Sequence, residues 1–238
     1  MGPPAMALQR VLEPEVMDTA QEASDYDAMD HREVNARFVD DLLAVQPSPG
    51  RVLDVGTGTA LIPIELCRRA PGANVDAIDL AAHMLELAKR NVARDRLDAR
   101  VRLALQDAKK AGWPEGAFDT VMSNSIVHHI PDPRDVLAEM WRLTRAGGVL
   151  FVRDLARPEG DARVRELVSM YAAVPANLAR HASGLRAMHE RQRDLFEASL
   201  RAALTVDEVQ ATVAPLGIAA TGVRMTSDRH WTLACRKS

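Results

Sequence analysis

The chain has 238 residues, with 30 basic and 33 acidic side chains for a formal charge of −3, and 47% of its residues are hydrophobic. That balance suits one large globular domain, or one domain with an elaboration, and excludes disordered and collagen-like chains. The slight acidity offers no broad field to a polyanion and argues against a nucleic-acid partner, and the two cysteines, Cys67 and Cys235, make neither a disulfide framework nor a cysteine zinc site.

The first ten residues contain no basic stretch leading into an apolar run, so no secretory signal is expected, and the apolar run Gly148 to Val152 is far short of the ~20 residues that cross a bilayer. A soluble, cytoplasmic protein without membrane association is the expectation. From His31 to Val45, Val34, Phe38, Val39, Leu42 and Leu43 form one stripe of an amphipathic helix that stops at Pro47-Ser48-Pro49-Gly50. Arg51 to Val55 reads as a strand, the segment from Ala60 to Arg69 as a helix, and Asn74 to Ile78 as a second strand. Ala81 to Asn91 is a helix with Met84, Leu85 and Ala88 inward, Val101 to Leu105 a third strand, and Phe118 to Ser123 a fourth. A helix carrying Val136, Leu137, Met140 and Trp141 follows Asp132-Pro133, is stopped by Ala146-Gly147-Gly148, and leads into a fifth strand, Val149 to Arg153.

Strands alternating with helices predict an α/β, Rossmann-like doubly wound sheet, mostly parallel. After Asp154 the pattern changes: 155–204 has helical composition and reads as a cap inserted over the carboxyl edge of the sheet. Thr205 and Glu208 have the spacing of a capping box, and Ile218 to Met225 with His230 to Cys235 predict an antiparallel hairpin. The chain 1–238 is therefore expected to be a single domain: an N-terminal helical lid (1–48), a core (50–154), the cap (155–204), and a C-terminal helix and hairpin (205–238).

The chemistry is concentrated at Leu53-Asp54-Val55-Gly56-Thr57-Gly58-Thr59. Glycines at the end of a first strand let the backbone turn tightly and a ligand approach closer than a Cβ permits, and the next helix presents unpaired N–H groups to the same crevice. A dinucleotide fingerprint needs a third glycine where Leu61 stands, and no Gly-Lys-Ser/Thr follows, so a phosphate loop is excluded. Asp54 would repel a pyrophosphate but attract a cationic amino-acid group, as on a sulfonium ligand. Asp79 ends the second strand at 79 − 58 = 21 residues from Gly58, the spacing at which a carboxylate accepts both hydroxyls of a ribose. Gln106-Asp107-Ala108 ends the third strand, where an amide or carboxylate can take an adenine amino group.

These residues, together with Asp79-Leu80, Met84-Leu85, Phe118-Asp119-Thr120-Val121, His128-His129-Ile130-Pro131-Asp132-Pro133 and Arg145-Ala146-Gly147-Gly148, carry a resemblance to class I S-adenosylmethionine-dependent methyltransferases. The resemblance covers about Gly50 to Asp154 and is nearest to the bacterial small-molecule group similar to quinone-biosynthesis C-methyltransferases. It implies that Asp54, Gly56, Thr57 and Gly58 hold the methionyl part of S-adenosyl-L-methionine. It further implies that Asp79 holds the ribose, that Leu80 and Met84 sandwich the adenine, that Asp107 and Ala108 meet its edge, and that Asn124 lies near the reactive end. The expected product is S-adenosyl-L-homocysteine, and the expected partner a small-molecule acceptor. Ser123-Asn124-Ser125-Ile126 departs from the Asn/Asp-Pro-Pro-aromatic signature of enzymes that methylate amino groups of nucleic acids or protein glutamine.

Toward the acceptor, His128 and His129 follow the fourth strand, where a histidine can serve as a base near neutral pH, or simply pack. Arg153 and Asp154 are expected to face the same crevice, orienting an acceptor or pairing with neighbours. Tyr26, in an acidic stretch, is either a lid over the cofactor or part of a solvated turn. Arg37 is a candidate for the cofactor carboxylate or for a surface ion pair. Met170, Tyr171, His181, Met188, His189 and Phe196 lie on the cap helices; His181 and His189 lack a compact ligand set, and no metal is called for. Non-methylating use of the same cofactor and nicotinamide-dependent oxidoreduction stay open, as does the oligomeric state, a homodimer included.

Overall fold

The computed structural model describes residues 8–14, 18–29, 31–174 and 183–238. Two helices, α1 (Ala20–Asp27) and α2 (Arg32–Val45), precede an alternation of β1 (Arg51–Val55), α3 (Leu61–Arg69), β2 (Asn74–Asp79), α4 (Ala82–Arg94), β3 (Val101–Leu105), β4 (Phe118–Asn124), α5 (Arg134–Leu143) and β5 (Thr144–Leu155). The chain continues through α6 (Asp161–Tyr171), α7 (Ser183–Ala202), α8 (Val206–Val213), β6 (Val223–Met225) and β7 (His230–Arg236).

The seven strands form one sheet in the order β3-β2-β1-β4-β5-β7-β6. β1 to β5 pair in parallel, whereas β7 runs antiparallel to β5 and to β6. The expected doubly wound sheet with a terminal antiparallel hairpin is what forms. Because successive strand residues point to opposite faces, Val52 packs with Phe38, Ile64 and Ala88 on the side covered by α2, α3 and α4. Leu53 packs with Leu137, Met140 and Val209 on the side covered by α5 and α8. Both faces are buried, so the strands read as continuous apolar runs. Strand order reverses between β1 and β4, which opens a crevice beyond their carboxyl ends.

The capping box holds: the Glu208 backbone N–H donates to Thr205 Oγ1 (3.2 Å), and the Thr205 N–H donates to Glu208 Oε2 (2.9 Å). Three boundaries differ from expectation. The helix α5 ends at Leu143 rather than at the glycines, because Thr144 already pairs with Phe118 across a register shift and donates its hydroxyl to the Met140 carbonyl (2.8 Å). The first hairpin strand is only Val223–Met225; before it, the Gln210 amide donates to the Ala220 and Val223 carbonyls (3.1 and 3.2 Å) and takes the place of a sheet neighbour. The acidic stretch around Tyr26 is helical, not a turn. Ala23 of α1 is buried against Ala81 and Met84, and the buried Asp25 carboxylate accepts from Arg191 of α7 (2.8 Å).

Among the described residues no helix is long and apolar enough to cross a membrane. Cys67 and Cys235 are both free thiols.

Candidate active site

The glycine loop is shaped by the neighbouring strand. The Gly56 and Thr57 N–H groups both donate to the Ile78 carbonyl (2.9 Å each), curling the chain toward β2. Gly56 has φ +72°, and a Cβ there would lie 2.2 Å from Ile126 Cγ2; only glycine meets both demands. At Gly58 (φ +53°) the side-chain space is open except for the Tyr26 ring at 3.9 Å. Ala60 opens α3 with φ 62°, and Ser125, just past β4, has φ 58°. Two non-glycine residues thus sit in the left-handed region beside one crevice, a form of strain that clusters at binding sites.

That crevice holds about 1100 Å³ of empty space, open solvent at its mouth included. Its walls bring together the predicted Tyr26, Asp54, Gly56, Thr57, Gly58, Asp79, Leu80, Met84, Asp107, Ala108 and Asn124, and also His129. Residues from Tyr26 to His129, 129 − 26 = 103 positions apart in the chain, therefore share one surface, because they lie at the carboxyl ends of the strands or on the helices and loops beside them.

Asp79 is held by the backbone around it. Its Oδ2 accepts from the Gly58 N–H (2.7 Å) and its Oδ1 from the Ala81 N–H (2.8 Å), so the carboxylate is aimed while each oxygen keeps acceptor capacity for a diol. Burial raises its pKa, with those same N–H groups pulling the other way. Burial pushes Asp54 up to about 7; the Thr57 hydroxyl opposes that shift and the Asp79 charge adds to it. Asp54 is therefore a buried carboxyl without a fixed countercharge among the described residues, the state a bound cation would relieve. Asn124 Oδ1 and Thr59 Oγ1 are buried without a hydrogen-bond partner among the described residues. The carboxylates, the glycine cradle and the unpartnered oxygen of Asn124 together fit an adenosyl amino acid. Tyr26, pushed up to about 12 by burial and then by the charge of Asp79, remains an un-ionised ring over the loop. It stacks on His31 with ring centroids 4.5 Å apart. Asp107 Oδ1 accepts from the Lys109 N–H (2.8 Å), which fixes the turn after β3.

The histidines separate. His128 is buried, its Nδ1 2.5 Å from Asp154 Oδ1 and its backbone N–H donating to Asp154 Oδ2 (3.1 Å); it lies outside the pocket wall. Burial disfavours the His128 charge, but Asp154 and then Glu13 outweigh that and raise its pKa. The Asp154 carboxyl is correspondingly lowered, His128 overcoming the effect of burial. His129 does line the pocket; burial and the neighbouring His128 push it down to about 4, so it stays neutral. Glu13 approaches both rings, its Oε1 3.4 Å from His128 Nε2 and 3.2 Å from His129 Nδ1, the latter without the alignment of a hydrogen bond.

Contrary to expectation, neither Arg153 nor Asp154 lines the crevice; Asp154 is buried against His128. Adjacent strand residues face opposite sides of the sheet, so Arg153 reaches α2, donating to Asp41 Oδ2 (2.6 Å) and to Thr232 Oγ1 (2.9 Å). Arg37 is exposed, 4.0 Å from Asp41. His181 lies outside the described residues. Sequence reasoning missed Asn35, Ile126 and Glu13. Asn35 and Glu13 carry no local signal, whereas Ile126 follows from the Gly56 turn only once the two loops are seen to meet.

Residues 53–152 match the family model described as "Methyltransferase domain". Over 116 residues the chain is 36% identical to the demethylmenaquinone methyltransferase of Thermus thermophilus, covering 49% of this chain and 52% of that one. Residues 53–152 are thus similar to methyltransferase domains, and the motifs that resemble class I S-adenosylmethionine-dependent methyltransferases fall in and around this segment. A second relative, the phosphatidylethanolamine N-methyltransferase of Cereibacter sphaeroides, is 38% identical over 113 residues, 47% of this chain and 54% of that one. The chain thus spans about half the length of the curated relatives it matches. In fold, the chain resembles a SAM dependent methyltransferase from Aquifex aeolicus (TM-score 0.61, 17% identity, 91% of this chain and 97% of that one). The matched segment begins one residue before Asp54 and ends two before Asp154, so the glycine loop, Asp79, Asp107, Asn124 and both histidines all fall within it.

Proposed function

We propose that this chain transfers a methyl group from S-adenosyl-L-methionine to a small-molecule acceptor, releasing S-adenosyl-L-homocysteine. The observation that carries the reading is the convergence of Asp54, Asp79 and Asp107 on one crevice with the glycine loop. Three strand-end carboxyls oppose a pyrophosphate but suit a ligand with an ammonium group, a diol and an amino-purine edge. Asp54 meets the ammonium, Asp79 the ribose hydroxyls, Asp107 and Ala108 the purine edge. Leu80 and Met84 flank the ring, and Tyr26 covers the loop.

The sulfonium supplies an activated methyl group, so the protein's task is alignment and, for a protonated acceptor, acceptance of a proton. The acceptor lone pair forms a bond to the methyl carbon as the carbon–sulfur bond breaks, its electron pair returning to sulfur. His129, neutral on the pocket wall beside Ile126 and Ile130, is the ring placed to contact the acceptor. His128 and Asp154, ion-paired behind it, are positioning residues for the loop that carries it. The relatives' names, one for a demethylmenaquinone and one for a phosphatidylethanolamine nitrogen, favour an organic small molecule but do not choose the acceptor atom.

The test is incubation with methyl-labelled cofactor and a metabolite extract, followed by mass spectrometry. A labelled small molecule appearing with S-adenosyl-L-homocysteine supports the proposal. Consumption of the cofactor with the label left on fragments of the cofactor itself would replace it with non-methylating chemistry.

A further inference from the structure

The loop after β4 and the segment 8–14 meet where Glu13 joins the two histidines. Glu13, His128 and His129 bring one oxygen and two imidazole nitrogens to within 4.8 Å of one another. We infer that these three side chains form a binding site for a divalent transition-metal ion of the zinc class.

The two separations from Glu13 Oε1 are those of neighbouring donors in a coordination polyhedron. Bonds of about 2.0–2.1 Å arranged tetrahedrally place neighbouring donor atoms about 3.3 Å apart, and Glu13 Oε1 lies 3.4 Å from His128 Nε2 and 3.2 Å from His129 Nδ1. His129 Nδ1 is buried and has no hydrogen-bond partner among the described residues, a state that needs an explanation in a folded protein. An ion supplies the missing partner. His128 is prepared for the same role: its other nitrogen, Nδ1, is 2.5 Å from Asp154 Oδ1, the carboxylate–histidine arrangement that orients a metal-binding imidazole. Ser199 Oγ donates to Glu13 Oε1 (3.0 Å) and orients the third ligand from α7. Arg10 donates to the His128, Ile130 and Pro131 carbonyls and so ties the segment before Glu13 to the loop that carries both rings. Two nitrogen donors favour zinc, cobalt or nickel over magnesium or calcium, which prefer all-oxygen sites.

The consequence concerns how the pocket is built. Glu13 belongs to the N-terminal segment and the histidines to the loop flanking the pocket, so an ion would fasten one to the other. Binding at His129 Nδ1 would also leave the ring hydrogen on Nε2 and so decide which hydrogen bonds the ring can make.

The experiment is titration of the chelator-treated full chain with Co²⁺, read by its visible absorption, and with Zn²⁺, read by metal content after gel filtration and by melting temperature. The inference predicts one ion per chain, cobalt bands of low-symmetry coordination and a raised melting temperature. It also predicts affinity at least about tenfold weaker in both Glu13→Gln and His129→Ala, since loss of even an outer partner costs about 10–100-fold. Replacement of histidines elsewhere, His83→Ala and His230→Ala, should leave the titration unchanged. His128→Ala strands the buried Asp154 carboxylate and can fail to fold, so the decision rests on Glu13 and His129. Absence of an ion retained through gel filtration, or retention undiminished in Glu13→Gln, would overturn the inference and leave the cluster a charge clasp. The readouts do not involve methyl transfer, so failure here leaves the proposed function standing.

Discussion

Replacing Asp54 by asparagine tests the electrostatics of the pocket. In the free protein burial pushes Asp54 up to about 7, while the ammonium of a bound adenosyl amino acid favours the carboxylate. Binding must then release a proton wherever Asp54 starts protonated. The ionised fraction is about 3% at pH 5.5 and about 50% at pH 7.0, so linkage predicts affinity for S-adenosyl-L-homocysteine rising about 15-fold across that interval. The upper limit is chosen because the ligand's own amino group begins to titrate near pH 8. Asp79, also raised, acts in the same direction, so Asp54→Asn should flatten the profile substantially rather than abolish it. The same shift has a sign for stability. A carboxyl raised in the folded state stabilises at low pH, and that contribution disappears as pH rises from about 4 to about 7, by about 4 kcal/mol at most. Asp54→Asn should therefore be more stable than the parent at pH 8 without ligand, yet bind more weakly. Isothermal titration calorimetry in buffers of different ionisation enthalpy measures both affinity and proton release. A flat affinity profile with no proton release in the parent protein would refute the placement of the ammonium beside Asp54.

Other substitutions probe separate links. Asp79→Ala should weaken S-adenosyl-L-homocysteine by about 1–3 kcal/mol, the scale of losing a charged hydrogen-bond partner, as read by calorimetry. Gly56→Ala should destabilise the fold by at least about 1–2 kcal/mol from its left-handed φ, with the overlap on Ile126 adding to this. In denaturant melts, Gly56→Ala/Ile126→Ala should recover the overlap but not the φ cost; equal losses in the single and double variants would show that the two loops do not meet as described. Thr205→Ala removes one half of the capping box at α8 and should cost about 1 kcal/mol in the same assay, with cofactor affinity unchanged.

What the sequence disclosed follows from which interactions are local. Gly56, Gly58 and Asp79 were legible because a tight turn at a strand end and a fixed loop-to-acid spacing are imposed by short-range geometry. The capping box at Thr205 was legible for the same reason. The helix α1 was not, since its formation depends on Ala23 packing against Ala81 and Met84 and on Arg191 meeting Asp25, contacts that no window of sequence contains. Arg153 and Asp154 were given one role because strand composition alone does not say which parity faces which layer. Pairing with β7 and packing on Phe38 settle it, and the two side chains part. Glu13 stayed hidden because nothing near it in the chain resembles a site; the fold carries it to the two histidines.

The central claim is that the crevice between the glycine loop and Asp79 takes an adenosyl amino acid and rejects a pyrophosphate-bridged dinucleotide. Melting curves of the full chain with saturating S-adenosyl-L-homocysteine or with NAD test it directly, since a ligand that binds the folded state raises its apparent stability. The account predicts a melting temperature raised by several degrees with S-adenosyl-L-homocysteine, a smaller rise in Asp79→Ala, and no change with NAD. Stabilisation by NAD together with none by S-adenosyl-L-homocysteine would contradict it.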